Sequence, residues 1–372
     1  MKIVAIKTHV VSQRFSEPVG MSQWFWNTRS SCLVEITTDN GITGWGECYG
    51  PAQAHRTLIE SVFAQILIGR DPLQRVSLWD SMYNVTREWG RKGLTMATIS
   101  GIDIALWDIA GKHVDLPIYQ LLGGAAGNAI EAYASAFYYG GSWAGDFEGE
   151  AEALLTKGFR SFKMKVGAGP IESDIARVER VRDALGPDAR VAVDANRGFT
   201  PGEAVKFGRA ITDVDPWFFE EPVLPEDRAG YRNVRAALQM PIAGGESEQT
   251  RWGFQELLAD RIIDIAQPDP TSCGGISETM RIAGMVSAHS LVLYPHTWGT
   301  AVAIAASLQV IAALPETVPS MTRTGPVLEL DQAPNIYRDE LTNLKIGPLM
   351  TLPTGPGLGI EVDRGLLKCD AS

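Results

Sequence analysis

Residues 190–222 read RVAVDANRGFTPGEAVKFGRAITDVDPWFFEEP, and this stretch contains one complete unit of a repeating pattern. Short apolar strands are predicted over 190–195 and 216–220, with a helical pattern over 201–211 between them. Two buried strands joined through a helix indicate a parallel pair, because parallel strands need a long crossover connection. The unit therefore predicts a parallel sheet covered by helices.

The same alternation continues on both sides of this unit. Further strands are predicted at 130–136, 159–165, 241–245, 262–267, 291–295 and 326–330. Helical patterns fill most of the gaps, including 171–185, 275–288 and 299–313. Eight strands alternating with helices over roughly 200 residues predict a closed α/β barrel.

The first part of the chain has a different order of predicted strands and helices. Residues 33–38 predict a strand, 39–41 a hairpin turn and 42–47 the return strand, and helical patterns follow at 52–68, 72–86 and 95–113. The tail contains a short strand-like piece at 359–362. We predict an α+β domain over 1–125, completed by a segment of about 340–372, and a barrel over 126–340.

Composition excludes several classes of function. The formal net charge of −11 argues against a nucleic-acid footprint and against binding to anionic membranes. The four cysteines, Cys32, Cys48, Cys273 and Cys369, form no C-x-x-C pair, so a reduced cytoplasmic setting is expected. The first residues predict a strand and no signal peptide, and the apolar stretch 300–314 is too short to span a bilayer.

Functional side chains of a barrel lie at the C-terminal ends of its strands. Six consecutive predicted strands end in an ionisable residue, a series that chance would rarely produce. These strand ends contribute Lys163 and Lys165, Asp194, Glu220, Glu246, Asp269 and His296.

Three of these residues are carboxylates on neighbouring strands: Asp194, Glu220 and Glu246. Any one of them alone would be interpreted as a solvated acid in a loop ion pair. Three converging at one barrel mouth would repel one another strongly without a cation. An all-oxygen set suits Mg²⁺, which leaves coordination positions open for water or substrate. We therefore predict one Mg²⁺ per subunit.

Lys163 and Lys165 are two residues apart on one strand and therefore share a face. That face is the barrel interior if Phe162 and Met164 pack outward. Two neighbouring ammonium groups are expected to lower each other's pKa, which suits a general base. The alternative is a pair of lysines that extend out of the strand end into solvent.

His296 follows one strand and Asp269 ends the preceding strand, so the two side chains can lie side by side. A carboxylate beside an imidazole fixes its tautomer and raises its basicity. The alternative is a core histidine bonded to a backbone carbonyl.

Together these residues resemble the enolase superfamily, and within it the mandelate racemase subgroup. The matching pieces are the K-x-K of Lys163 and Lys165, the acidic triad and the Asp269–His296 dyad. The first domain is similar to the capping domain of this family through the segments 44–47 (GWGE) and 101–108 (GIDIALWD). Segments 46–52, 295–300 and 355–360 most resemble the sugar-acid cycloisomerases and dehydratases of the subgroup.

This resemblance implies a modified (β/α)7β TIM barrel with an α+β N-terminal capping domain closed over the site. It implies that Lys165 is one base and His296 the base on the opposite face, oriented by Asp269. Lys163 and Glu329 would bind the substrate carboxylate, although an ordinary surface role for Glu329 stays open. Residues 15–29 would form the mobile cap loop. Further candidate substrate contacts are Asn196, Trp24 and Tyr49.

The expected reaction is Mg²⁺-dependent removal of the proton next to a carboxylate. With a sugar acid or its lactone, the products would be a dehydrated acid or a ring-opened 2-keto-3-deoxy acid. The alternatives are a racemase or epimerase using the same site, and a non-catalytic protein that binds acid sugars. Expected partners are a small carboxylate substrate and further copies of the chain in a homo-oligomer.

Overall fold

A computed structural model describes residues 1–124, 129–140, 145–315 and 326–368. Within these residues the chain forms an antiparallel sheet with a helical layer, followed by a barrel of parallel strands. Cys369, one of the four cysteines, lies outside the described residues.

The N-terminal domain contains a three-stranded antiparallel sheet. Its strands are β1 (Ile3–Gly20), β2 (Phe25–Thr38) and β3 (Thr43–Cys48). The predicted hairpin at 39–41 is confirmed, since β2 pairs with β3 from Thr37 opposite Thr43 to Cys32 opposite Cys48. The expected mobile loop at 15–29 is wrong for most of its length. Pairing of β1 with β2 reaches Gly20 opposite Phe25 and leaves only residues 21–24 as the connection.

Helices cover one face of this sheet. They are α1 (Ala52–Leu58), α2 (Ala64–Leu67), α3 (Arg75–Thr86), α4 (Leu94–Val114) and α5 (Ile118–Leu121), with a π-helical turn over Ile59–Phe63 between α1 and α2. Helix α4 is long and apolar enough to cross a membrane, but 89% of its apolar window is buried inside the fold. It is therefore the central core helix of this domain.

The second domain has the predicted alternation of strands and helices. Its strands are β4 (Ala129–Ala136), β5 (Ser161–Lys165), β6 (Arg190–Asp194), β7 (Phe219–Glu220), β8 (Ile242–Gly244), β9 (Ile265–Ala266), β10 (Val292–Leu293) and β11 (Leu328–Asp331). The intervening helices are α6 (Phe147–Lys157), α7 (Ile171–Leu185), α8 (Pro201–Ala210), α9 (Arg228–Ala237), α10 (Thr250–Ala259), α11 (Gly275–Ala288) and α12 (Ala301–Ile311).

All neighbours along the path β10-β9-β8-β7-β6-β5-β4-β11 are parallel. The predicted (β/α)7β barrel with an α+β cap is thus confirmed. A short helix, α13 (Ile336–Asp339), and an antiparallel strand on β4, β12 (Leu349–Thr351), follow the last barrel strand.

Side chains on each strand alternate between two apolar layers. Phe162 and Met164 of β5 pack outward into the core between strands and helices, which directs Lys163 and Lys165 inward. A smaller cluster, including Tyr133 and Phe218, fills the barrel interior. The predicted inward direction of the two lysines follows directly from this alternation.

The cap and the barrel share a third apolar cluster. Trp45 and Ile104 of the cap pack there with Ile276 and Val302 of the barrel. The C-terminal tail contacts the cap, where the backbone N–H of Leu358 donates to Asp108 at 2.8 Å. The predicted strand at 359–362 is absent, and Val362 contributes only an isolated bridge to Thr342.

Candidate active site at the barrel mouth

Strand register brings the first of the predicted acids together. Lys165 lies opposite Asp194 in the β5–β6 pair, and Asp194 lies opposite Glu220 in the β6–β7 pair. Glu246 is the second residue after β8, at the same edge of the sheet. Asp194 and Glu220 are fully buried, so their charges face each other in a low dielectric.

Backbone strain is concentrated directly after these strands. Phe137, Asn196, Arg197 and Glu221 have φ angles of 52°, 40°, 68° and 39°. Side chains other than glycine rarely adopt this left-handed conformation, at a cost of about 1–3 kcal/mol each. The surrounding packing maintains the strain, which turns the side chains that follow β6 and β7 at the barrel mouth.

Both lysines are engaged by carboxylates. Lys163 Nζ lies 2.7 Å from Glu220 Oε1, 2.7 Å from Glu329 Oε1 and 3.6 Å from Asp194 Oδ2. Lys165 Nζ donates to Asp194 Oδ2 at 2.6 Å. These contacts exclude the solvent-directed alternative for the lysines. Glu329 is buried as well, which excludes an ordinary surface role.

Burial lowers the pKa of Lys165 most, and the repulsion from Lys163 lowers it as well, as expected. The carboxylates Asp194, Glu246 and Glu220 together outweigh both effects, so the net pKa of Lys165 is raised. The pKa of Lys163 is raised further, because Glu220 and Glu329 overcome its burial. The sequence could not show that other strands place a larger set of negative charges around the pair.

His296 lies between two carboxylates. Its Nδ1 is 2.7 Å from Asp269 Oδ2 and its Nε2 is 3.1 Å from Glu246 Oε2. Burial lowers the pKa of His296, but Glu246, Glu329 and Asp269 together raise it to about 10. Burial likewise raises the pKa of Glu246, yet His296 and the two lysines lower it to about 2. The core-histidine alternative is excluded.

Sequence reasoning missed a second set of polar residues around the acids. Gln267 donates to Glu220 Oε2 at 2.6 Å. Arg197 lies 3.2 Å from Glu221 and 3.9 Å from Glu246, and it donates to Ser247 at 2.9 Å. Glu221 could have been proposed as a site residue because it directly follows Glu220 in the sequence. For Arg197 the sequence offers only its position directly after Asn196.

The site contains more acidic than basic groups. Six buried or nearly buried carboxylates meet three lysine and arginine side chains and one imidazole. The carboxylates are Asp194, Glu220, Glu221, Glu246, Asp269 and Glu329. Burial raises the pKa of Glu220 to about 8, even though Lys163 opposes this rise. Across the described ranges no three His, Cys, Asp or Glu side chains form a metal-binding cluster, and Glu220 and Asp194 each accept a hydrogen bond from a lysine.

The cap supplies the opposite side of the mouth. The Tyr49 ring packs edge-on against His296, with 5.9 Å between centroids, and also against Trp298 at 6.2 Å. Arg29 places its guanidinium 3.8 Å from the centre of the Trp298 ring and pairs with Asp331. Trp24 lies in the connection between β1 and β2 and is 65% exposed.

Two polar side chains of the loop at 21–24 contact the barrel near the acids. Ser22 Oγ donates to the carbonyl of Asn196 at 3.1 Å, and Gln23 donates to the carbonyl of Arg197 at 3.0 Å. Gly20 pairs with Tyr139, just beyond the end of β4. The cap loop is therefore docked on the two strained residues after β6.

A cap carboxylate also holds the start of a barrel helix. Glu47 of β3 accepts hydrogen bonds from the backbone N–H groups of Thr300 and Ala303 and from the Thr300 hydroxyl, at 2.7 to 3.1 Å. These groups are the otherwise unpaired donors at the N-terminus of α12. The turn from His296 to α12 is thus held in place by the cap.

Several buried polar atoms of the site have no hydrogen-bond partner. On the carboxylate side these atoms are acceptors, Asn196 Oδ1 and Gln267 Oε1. On the cap side they are donors: Trp26 Nε1, Arg29 Nε and Arg29 Nη2. Unpaired buried groups are costly, so their concentration here indicates a binding site.

Fold and site together define an enzyme of the capped-barrel class, with acids and bases gathered at the strand ends under the cap. Residues 146–366 match the family described as enolase C-terminal domain-like, and residues 5–123 match the mandelate racemase / muconate lactonizing enzyme N-terminal domain. The chain belongs to the enolase superfamily, in its mandelate racemase and muconate lactonizing enzyme group.

Its relatives are sugar-acid enzymes. The chain is 38% identical to the D-galactarolactone cycloisomerase of Agrobacterium fabrum, over 99% of this chain and 98% of that protein. It is 36% identical to the arabinonate dehydratase of Saccharolobus solfataricus, over 90% of this chain and 89% of that protein. The solved structure of the 3,6-anhydro-D-galactonate cycloisomerase from Zobellia galactanivorans has a TM-score of 0.89 and 38% identity, covering 99% of this chain and 98% of that one.

Proposed function

We propose that this enzyme removes the proton α to the carboxylate of a sugar acid or its lactone. The reaction then ends in dehydration or in opening of the lactone ring to a 2-keto-3-deoxy acid. The observation that carries the proposal is the joint engagement of Lys165 and His296 with one acidic cluster, through Asp194 and Glu246. Relatives aligned over nearly the whole chain, a cycloisomerase and a dehydratase, support this reaction class.

The acidic set fits a divalent cation. Asp194, Glu220 and Glu246 would hold Mg²⁺, because their excess negative charge and unpaired neighbouring oxygens match a hard cation that prefers oxygen ligands. When bound, this cation supplies Lewis-acid stabilisation of the negative charge that develops on the substrate carboxylate.

Lys163 would bind the substrate carboxylate. Its pKa is raised, so it keeps its positive charge at neutral pH, and it is already paired with Glu329. Burial raises the pKa of Glu329, but Lys163 and His296 outweigh it and hold this pKa below its usual range, so Glu329 would have to take up a proton before it could donate a hydrogen bond to one carboxylate oxygen. The pair would fix the plane of the carboxylate, which sets the direction of the Cα–H bond.

Lys165 and His296 would act on opposite faces of that plane. They lie on or after β5 and β10, which are separated by several strands around the barrel. The carboxylates that raise the pKa of Lys165 are the same ones proposed as metal ligands. Neutralising them would lower this pKa and free the amine to accept the proton. Asp269 would hold the imidazole with Nδ1–H directed away from the substrate.

The direct test measures α-proton exchange in D₂O for Lys165→Ala and His296→Asn. Each variant is expected to lose exchange from at least one substrate stereoisomer, by about 10²–10⁴-fold. Lys157→Ala, on an exposed position of α6, is the matched control. If both site variants exchange a confirmed substrate like the wild type, the two-base proposal is wrong.

Product analysis by NMR separates the outcomes. A keto product indicates dehydration or ring opening, whereas an inverted α-carbon without a keto group indicates epimerisation. Treatment with a chelator is expected to abolish turnover, and added Mg²⁺ is expected to restore it. Binding of a sugar acid without exchange or product would support the non-catalytic alternative. We further propose that the enzyme works as a cytoplasmic homo-oligomer.

A further inference from the structure

Arg29 is a charged residue whose contacts are incomplete. It is 4% exposed, and only its Nη1 makes a hydrogen bond, to Asp331. Its Nε and Nη2 are buried and unpartnered. A buried guanidinium with two free N–H groups costs stability, which is understandable if a ligand completes its contacts.

Arg29 lies one layer above the proposed carboxylate clamp. Asp331, its partner, is two residues beyond Glu329 on β11, so the two acids share a face of the strand. Asp331 therefore lies about 6.6 Å beyond Glu329 along β11, twice the rise per strand residue, and Arg29 pairs with it at that level. Trp298, which stacks on Arg29, is likewise two residues beyond His296.

A continuous series of contacts joins Arg29 to both proposed bases. Trp298 leads through Tyr49 to His296. On the other side Tyr138 donates to Asp331 at 2.7 Å, and its ring lies 5.6 Å from Lys165 Nζ. Trp26, whose indole N–H is also unpartnered, packs edge-on against Trp298 at 5.8 Å. These side chains therefore border the reaction site, and the buried atoms of Arg29 and Trp26 that lack a partner there are all donors.

We propose that Arg29 binds a carboxyl group at the far end of the substrate, so that the enzyme prefers an aldaric skeleton over an aldonic one. Two parallel N–H groups of a guanidinium match the two oxygens of a carboxylate, whereas a terminal hydroxymethyl group offers these two donors a single neutral oxygen. This inference rests on the proposed function and specifies its substrate class.

Ring opening gives this arrangement a chemical role. When the base takes the Cα proton of an aldaric lactone, the Cβ–O bond to the ring breaks and its electron pair stays on oxygen. The leaving group is therefore a carboxylate, formed from the former lactone carbonyl, and the enol product becomes the keto acid. A guanidinium beside this group stabilises the charge as it forms, without a proton transfer to the leaving group.

The test compares kcat/KM for an aldaric acid and for the aldonic acid of the same configuration, which differ only at the far end, with the aldaric monolactone as a third substrate. Wild type is expected to prefer the aldaric acid over the aldonic acid. Arg29→Gln is expected to reduce this preference by about 10- to 100-fold, the range for losing a charged hydrogen bond. The loss is expected on the aldaric substrates, with little change on the aldonic acid.

Arg364→Gln provides a matched control. This arginine also pairs with a carboxylate, Glu35, at 2.6 Å and stacks over a tryptophan, Trp45, but on the cap. Arg29→Lys keeps the ion pair with Asp331 and lacks the second donor edge, so it is the folded variant if Arg29→Gln fails to fold. Thermal unfolding of each variant monitors the fold.

The two proposals fail separately. If wild type converts no acid or lactone, the proposed function is wrong, and calorimetric binding of an aldarate and an aldonate decides the role of Arg29. Aldarate binding that is tighter than aldonate binding, and that weakens in Arg29→Lys, supports the inference. Equal preference in wild type and the Arg29 variants, in turnover or in binding, overturns it.

Discussion

Nδ1 of His296 lies 2.7 Å from Oδ2 of Asp269, so the aspartate fixes the proton on the ring nitrogen that faces away from Glu246. This contact orients the imidazole and also contributes to the rise of its pKa to about 10. Orientation and basicity of the proposed second base thus depend on one residue of the preceding strand end.

Asp269→Asn is expected to lower kcat by about 10²–10⁴-fold, because the imidazole loses its orientation and its stabilised charge. The same substitution is expected to lower the pKa of His296, so the part of the pH–rate profile that reports His296 moves to lower pH. Measuring kcat at a series of pH values checks both the lower rate and the shifted profile. Asp260→Asn, at the far end of α10, is the control, and an unshifted profile in Asp269→Asn would contradict this role.

Glu47→Gln is expected to destabilise the protein by about 1–3 kcal/mol, since an amide cannot accept all the bonds donated at the start of α12. Turnover is expected to fall as well, because the turn carrying His296 and Trp298 loses its support. Urea unfolding measures the first effect and steady-state kinetics the second. The exposed Glu17→Gln should change neither, and a fully stable Glu47→Gln would disprove the capping role.

His55 predicts a pH-dependent stability. It is fully buried and bonded to Thr98 and to the carbonyl of Tyr49, and burial lowers its pKa to about 4. Between pH 6.5 and pH 4, His55 is protonated in the unfolded chain but stays neutral in the folded protein. The stability present above pH 6.5 is therefore lost progressively down to pH 4, by about 3 kcal/mol.

His55→Gln is expected to flatten this dependence, as measured by urea unfolding at intervals between pH 4 and 7. The exposed His113→Gln provides the baseline for replacing a histidine elsewhere. An equally steep loss of stability in wild type and His55→Gln would assign the acid sensitivity to other groups.

Gly101→Ala is expected to destabilise the cap by about 1–3 kcal/mol. A Cβ at this position of α4 would lie 2.4 Å from Cys48 Sγ and 3.0 Å from the backbone of Glu47. Gly284→Ala on α11 meets nothing within 4 Å and should stabilise by about 0.5–1 kcal/mol. Thermal unfolding compares the two, and equal shifts would show that close packing of α4 on β3 contributes little.

The barrel could be predicted because its signal is local. Apolar strands and amphipathic helices alternate along the chain, and each strand end marks the mouth. Strand position therefore predicts that Lys163, Lys165, Asp194, Asp269 and His296 lie at one end of the barrel, where the structure has them. The extension of β1 and β2 toward the barrel could not be predicted. The pairing of Gly20 with Phe25 depends on a strand register, and the polar and aromatic residues of this segment have no alternating pattern that fixes it.

Two further features required the three-dimensional structure. The direction of the lysine pKa shifts depends on Glu220 and Glu329, which approach from other strands. Arg29 reaches Asp331 across 302 residues of sequence, and no spacing rule connects positions so far apart.

Glu47 has a consequence for any attempt to recombine these domains. A barrel given a cap from another protein would begin α12 with exposed amide groups unless the new cap carried a carboxylate at the same place. Chimeras should therefore exchange the β3 end and the 297–300 turn as one unit, and libraries that vary the cap should leave position 47 fixed.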